Sequence, residues 1–150
     1  MTRSERLRPV ADIKQKEQLN SARILSESID ELKKQQERLL ELKHYRDDYL
    51  NKYRQMSQEG ASIARIRHYQ EFISRLDQSI VVQQQRVIDS EHQLEEKKNG
   101  WKQARARSDA FDKVVDRYRQ EENQQKEQRL QKEADDQALR NQSNRIDPHH

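Results

Sequence analysis

The chain has 150 residues, of which 38% are charged and 31% are hydrophobic, with two glycines, two prolines and no cysteine. This composition excludes a large globular core and a disulfide framework, and it favours long helices. The 30 basic and 27 acidic side chains nearly balance, so we expect them to solvate helix faces. Neither a membrane span nor a signal peptide is predicted, because no apolar stretch is long enough.

The first predicted helix covers residues 9–57 and follows a flexible, basic segment of residues 1–8. Pro9 is expected in the first turn, where its missing N–H costs nothing. Apolar residues then recur at spacings of three and four, with Gln36 filling one slot: Ala22, Leu25, Ile29, Leu32 and Leu39. The pattern predicts a coiled-coil seam that shifts phase after Leu39, through Leu42, Tyr45, Tyr49, Tyr53 and Met56.

A short turn is predicted at residues 58–62. Gly60 is suited to the left-handed conformation that ends a helix, and Ser62 is suited to cap the next one. One short turn between two long helices implies an antiparallel hairpin. In that hairpin Leu39 should face Ile80, and Leu32 should face Val87.

The second predicted helix covers residues 63–118 and carries a continuous heptad repeat. Its a positions are Ile66, Ile73, Ile80, Val87, Leu94, Trp101, Ser108 and Val115. Its d positions are Tyr69, Leu76, Gln83, Ser90, Lys97, Ala104, Phe111 and Tyr118. The polar residues Gln83, Ser90 and Lys97 are expected to weaken the middle of this seam.

A polar segment, residues 119–144, is predicted to project as a helical tail that frays, and residues 145–150 are predicted to be disordered. The predicted fold is therefore all-α: two long helices in an antiparallel coiled-coil hairpin, with the second helix longer and the polar termini frayed. The hairpin closes its seam within one chain, so we expect a monomer.

No catalytic constellation is recognisable. His44, His68 and His92 are 24 residues apart and would be far from one another, and His149 and His150 end the sequence. With two glycines in total, a glycine-rich phosphate loop is not available. We therefore predict no enzymatic activity, no metal site and no cofactor.

The densest basic cluster contains Lys97, Lys98, Lys102, Arg105 and Arg107. It could bind nucleic acid or an acidic protein surface. It could also be a solvated helix face, because acidic residues flank it within pairing distance.

Aromatic residues concentrate on both sides of the predicted turn: Tyr45, Tyr49, Tyr53, Tyr69 and Phe72. A two-helix seam cannot cover all of them, so they are expected to form an exposed patch with Leu76 that binds another protein. The alternative is wider packing at this end of the hairpin, with no partner.

The order of these residues resembles the FliJ family of flagellar export proteins. The resemblance rests on Leu42, Tyr45 and Tyr49, then Gly60 in the turn, then Tyr69, Gln70, Phe72, Ile73, Leu76 and Ile80, and later Trp101. It spans essentially the whole chain. Proteins of this family form the cytoplasmic stalk of the flagellar type III export apparatus and are similar to the coiled coil of the rotary ATP synthase gamma subunit.

The resemblance implies three kinds of partner and a location at the cytoplasmic face of the inner membrane, reached through those partners. The export gate protein, of the FlhA type, would be contacted by Leu42, Tyr45, Tyr49, Phe72 and Leu76, with Arg38, Ser79 and Gln83 nearby. The hexameric export ATPase, of the FliI type, would receive residues 9–25 and the helix beyond Lys97, including Lys98, Trp101, Lys102 and Arg105. Export chaperones would also bind, at a site that the sequence does not indicate.

Three alternatives stay open from the sequence. The chain could be the equivalent stalk of a virulence injectisome. It could be a basic coiled coil that binds nucleic acid through residues 97–107, or a purely structural parallel dimer, because a heptad repeat does not state strand direction.

Overall fold

The computed structural model of the protein describes residues 1–146, which form two long helices, α1 (Arg3–Gln58) and α2 (Ile63–Ile146). The helices pack against each other, and residues 1–146 contain no strand. This confirms the all-α prediction, and α2, with 84 residues, is longer than α1, with 56. Of the segment expected to be disordered, residues 147–150 lie outside the described residues, whereas residues 145 and 146 are helical.

Helix α1 begins at Arg3, so our expectation of a flexible segment before Pro9 was wrong. The cause is a capping box: the Glu5 amide donates to Thr2 Oγ1, and the Thr2 amide donates to Glu5 Oε2, both at 3.3 Å. Pro9 therefore lies inside α1. Thr2 to Glu5 have the Thr-x-x-Glu signature of this capping box, but the predicted start of the helix was taken from Pro9 instead.

The turn is closed by the groups that the sequence indicated. Gly60 is left-handed, with φ of 77°, and the Ala61 amide donates to the Met56 carbonyl at 3.1 Å, which gives a Schellman ending for α1. Ser62 Oγ accepts the Arg65 amide at 3.3 Å and so caps α2.

The helix contacts divide into two units, residues 19–103 and residues 1–18 with 104 onward, which we describe separately. In the 19–103 unit, α2 buries a residue every three or four positions, as its heptad predicts: Leu76, Ile80, Gln83, Val87 and Ser90. Ile73 and Leu94 are partly buried on the same stripe. Lys97, predicted at the next d position, is exposed, because a charged ammonium is costly to bury without a partner.

The α1 stripe in this unit differs from the prediction. Ile29 is 50% exposed, and a stripe of partly buried side chains runs through Leu25, Ser28, Leu32, Gln35, Leu39, Leu42, Arg46, Tyr49 and Tyr53. The predicted seam residues Ala22 and Met56 are partly buried and buried, respectively. Spacings of three and four therefore continue from Leu25 to Tyr53, so the predicted phase shift after Leu39 and the place of Gln36 in the seam were wrong. Of the polar side chains in the seam, Gln35 and Arg46 have partners in α2, whereas Ser28 Oγ donates to the Ile24 carbonyl of α1 at 3.1 Å.

The partners in α2 are Gln83 and Asp77. Gln83, only 2% exposed, donates from Nε2 to the Gln35 carbonyl at 3.0 Å and to Gln35 Oε1 at 2.7 Å. Arg46 forms an ion pair with Asp77. Because these pairs join early α2 residues to late α1 residues, the helices of this unit are antiparallel.

In the other unit, the first turns of α1 pack on α2 between residues 104 and 122. Lys14 Nζ lies 5.6 Å from the Phe111 ring centroid, and the Arg3 guanidinium lies 5.5 Å from that of Tyr118. The buried Ser4 donates to the Glu122 carboxylate from its amide (3.0 Å) and its hydroxyl (2.6 Å). Every residue of α2 from Asn123 to Ile146 is exposed.

Candidate functional site

An open groove of about 630 Å³ runs along one side of the helix pair in the 19–103 unit. Its apolar lining comes from Leu42 and Tyr45 of α1 and Val82 of α2. Tyr45 is 58% exposed and Val82 is 53% exposed, while Leu42 is partly buried. Leu42 lies on the buried stripe of α1, whereas Tyr45 and Val82 lie beside the stripes of their helices and stay exposed.

The groove is positively charged. Arg38, Arg75 and Arg86 line it, with Glu41 as the acidic lining residue and with Gln78, Ser79 and Gln83 as uncharged polar ones. The ion pairs among residues 1–146 are Arg23 with Glu27, Arg46 with Asp77, and Arg105 with Asp109, so none of the groove arginines is held in one. All three arginines are exposed.

An aromatic cluster lies in the same unit, nearer the turn. The Tyr49 ring centroid is 4.3 Å from that of Phe72 and 5.8 Å from that of Tyr69. Lys52 Nζ lies 5.3 Å from the Tyr49 ring, and Tyr53 accepts a hydrogen bond from Gln70 Nε2 at 2.9 Å. Tilted ring pairs at these distances stabilise the packing of the two helices beyond the area that they bury.

The five residues predicted to contact the gate therefore have different environments. Leu42 and Tyr45 line the groove, whereas Tyr49 and Phe72 are partly buried against each other. Leu76 is 8% exposed and belongs to the core, so its place in an exposed patch was wrong. Its d position in the heptad already indicated burial.

The residues predicted to contact the ATPase lie on α2 but in different units. Lys97, Lys98 and Lys102 are exposed and Trp101 is partly buried in the 19–103 unit. Arg105 belongs to the other unit, where its Nε lies 4.0 Å from Asp109 Oδ2.

Several groove residues were missed at the sequence level, above all Arg75, Val82 and Arg86. Each lies at a c or g position of the heptad, beside the seam, so the signal was available in the repeat. Their grouping with Arg38 also depends on which face of α1 meets α2, and the apolar pattern of α1 misassigned that face.

Residues 1–146 contain no group of three or more His, Asp or Glu placed to hold a metal. No helix among them is long and apolar enough to cross a lipid bilayer.

These features define a two-helix coiled-coil protein with a basic, partly apolar groove beside its seam. The chain belongs to the FliJ family: the family model described as "Flagellar FliJ protein" matches residues 3–146, nearly the whole sequence. Membership makes it a component of flagellar protein export that associates with the export apparatus. No curated protein and no solved structure gave a match.

Proposed function

We propose that this protein is a non-enzymatic stalk that links the export ATPase ring, of the FliI type, to the export gate, of the FlhA type. The observation that carries the proposal is the groove at Leu42 and Tyr45, an exposed apolar and basic surface in a chain of the FliJ family. A coiled coil that only served as a spacer would have no need of it. The family match favours the flagellar system over an injectisome.

The gate contact is proposed at Leu42 and Tyr45, which are accessible in the groove. Tyr49 and Phe72 support this surface by packing on each other, and Leu76 supports it from the core. The exposed Tyr45 should therefore affect binding alone, while the partly buried Leu42 and the other three residues should affect both binding and folding.

The test is the affinity of the purified gate cytoplasmic region for the double variant Leu42→Ala, Tyr45→Ala. We expect a loss of at least about tenfold, because exposed aromatic anchors dominate docking energies. The matched control is Leu40→Ala, which removes a side chain that is 58% exposed but does not line the groove. Equal losses in the two variants would contradict the proposed contact.

The ATPase contact is proposed on α2 at Lys97, Lys98, Trp101, Lys102 and Arg105. Charge reversal of Lys97 and Lys98 to Glu should reduce stimulation of the ATPase, since it replaces two exposed cations. Lys33 and Lys34 form another exposed lysine pair, on α1, and their reversal is the matched control. Unchanged stimulation of the ATPase by the Lys97→Glu, Lys98→Glu variant would contradict the proposed contact.

Export chaperones are the third proposed class of partner, and no residues are assigned to them. The protein would reach the cytoplasmic face of the inner membrane through the gate and the ATPase. We propose no cofactor and no nucleic-acid ligand for it.

A further inference from the structure

We infer that the groove binds an acidic amphipathic helix of its partner, with apolar side chains on Leu42, Tyr45 and Val82 and with carboxylates paired to Arg38, Arg75 and Arg86. The inference rests on the proposed function, in which the partner is the gate protein. It further specifies that the contacting segment of the gate is a helix with acidic and apolar side chains.

The charge of the groove is the first argument. Its three arginines face one lining carboxylate, Glu41, and none of them is held in an ion pair within residues 1–146. By contrast, Arg46 in the seam is paired with Asp77 of the facing helix. An acidic partner would give the groove arginines the planar, two-pronged contacts that guanidinium groups make with carboxylates.

The layout of the charges is the second argument. Arg75 and Arg86 are eleven residues apart on α2, which corresponds to about 16 Å along a helix. Leu42, Tyr45 and Val82 supply the apolar lining of the same groove. A partner helix lying along the groove would therefore carry acidic residues about three turns apart with apolar residues between them.

The same layout disfavours the other anionic ligands. A nucleic acid would meet an apolar lining and the Glu41 carboxylate, with no row of aromatic rings for its bases. A lipid surface is flat on this scale, whereas the groove is a recess beside the seam. A helix with both apolar and acidic side chains would match the apolar side chains and the arginines that line the groove.

The test compares the affinity of the gate cytoplasmic region for the wild-type protein and for the double variant Arg75→Glu, Arg86→Glu. We expect the dissociation constant to rise at least about tenfold, because each reversal replaces an attraction by a repulsion. Wild-type binding should weaken between about 0.05 M and 0.5 M salt, and the variant should lose most of this dependence. Arg67→Glu, an exposed position that does not line the groove, is the matched control.

The outcomes separate this inference from the proposed function. If the wild-type protein does not bind the gate, the proposed function itself is wrong. If the wild-type protein binds, Leu42→Ala with Tyr45→Ala weakens binding and Arg75→Glu with Arg86→Glu does not, then the gate contact stands and the acidic-helix inference fails.

A charge exchange identifies the partner segment. Single Asp→Lys and Glu→Lys variants across the gate's cytoplasmic region should include some that restore binding to Arg75→Glu, Arg86→Glu and weaken binding to the wild type. Absence of any such variant would overturn the inference. Binding of the protein to vesicles of equal parts phosphatidylcholine and phosphatidylglycerol would also overturn the inference, if that binding required Arg75 and Arg86 while the Arg75→Glu, Arg86→Glu variant kept its affinity for the gate.

Discussion

Tyr45 and Tyr49 are one helical turn apart on α1, yet they have different environments. Tyr45 is 58% exposed at the groove, whereas Tyr49 is partly buried with its ring 4.3 Å from that of Phe72. Substitutions of the two side chains therefore distinguish the proposed binding role of Tyr45 from the packing of Tyr49.

The first prediction concerns this pair. Tyr49→Ala should lower the free energy of unfolding by about 2 kcal/mol, because it removes a partly buried ring and its aromatic contacts. Tyr45→Ala should change it by less than about 0.5 kcal/mol, as expected for an exposed side chain. Urea denaturation followed by circular dichroism measures both, and similar values for the two variants would contradict the assignment.

The two glycines provide a second comparison at single residues. Gly60 has φ of 77° in the turn, whereas Gly100 lies inside α2, and an added Cβ would meet no atom within 4 Å at either position. The effect of a methyl group is therefore set by the backbone conformation alone.

We expect Gly60→Ala to lower the free energy of unfolding by about 1–2 kcal/mol, because left-handed backbone is costly for alanine. Gly100→Ala should raise it by about 0.5–1 kcal/mol, because alanine loses less entropy in a helix. Thermal and urea unfolding of the two variants measure these changes. A stabilised Gly60→Ala variant would mean that the turn does not have the Schellman geometry.

At the scale of elements, the first turn of α1 is hydrogen-bonded to a carboxylate of α2. The Ser4 hydroxyl and amide donate to the Glu122 carboxylate, and these hydrogen bonds hold the pKa of Glu122 below its ordinary value. These hydrogen bonds favour the charged form of Glu122, and the positive N-terminal end of the α1 dipole also stabilises this negative charge.

This pKa shift predicts how the contact depends on pH. A carboxylate whose pKa is lower in the folded state stabilises the fold above its unfolded pKa, and the contribution is lost as the pH falls through the folded pKa. Ser4→Ala removes the hydroxyl that donates to the Glu122 carboxylate, so it should raise the pKa of Glu122 toward its ordinary value. Carbon-detected NMR titration measures this pKa. Ser26→Ala, at an exposed position of α1, is the control. The same Glu122 pKa in both variants would contradict the contact.

The two helices differ in how well the sequence predicted them. The α2 stripe was predictable because its apolar residues keep one heptad phase from Ile66 to Val115, and isolated polar residues did not disturb it. On α1 the seam positions include Ser28, Gln35 and Arg46, which an apolar pattern does not detect. The exposed Ile29 was consequently assigned to the seam.

The candidate site in the groove was likewise predicted only in part. Leu42 and Tyr45 were predicted from heptad phase and from the family resemblance, and the structure places both in the groove. Arg75 and Arg86 were not predicted, because their proximity to Arg38 follows from pairs such as Gln35 with Gln83. The pair of Gln35 with Gln83 determines which face of α1 meets α2 in this unit, and a single sequence does not reveal which polar contacts form.

At the scale of the whole molecule, the helices of each unit cover their buried stripes with residues of the same chain. We therefore expect a monomer of 18.2 kDa in solution. Sedimentation equilibrium over a range of protein concentrations measures the mass directly. A concentration-independent mass of about twice this value would favour a dimer, in which the stripes are covered by another copy.

The central claim is that one chain joins the ATPase to the gate, and the most direct measurement is a bridging experiment. Immobilised export ATPase is incubated with the gate cytoplasmic region, with or without this protein, and the gate retained on the ATPase is quantified. The account predicts retention only when the protein is present, with loss of retention for the Leu42→Ala, Tyr45→Ala variant. Gate retention that does not depend on the protein, or no retention in its presence, would contradict the account.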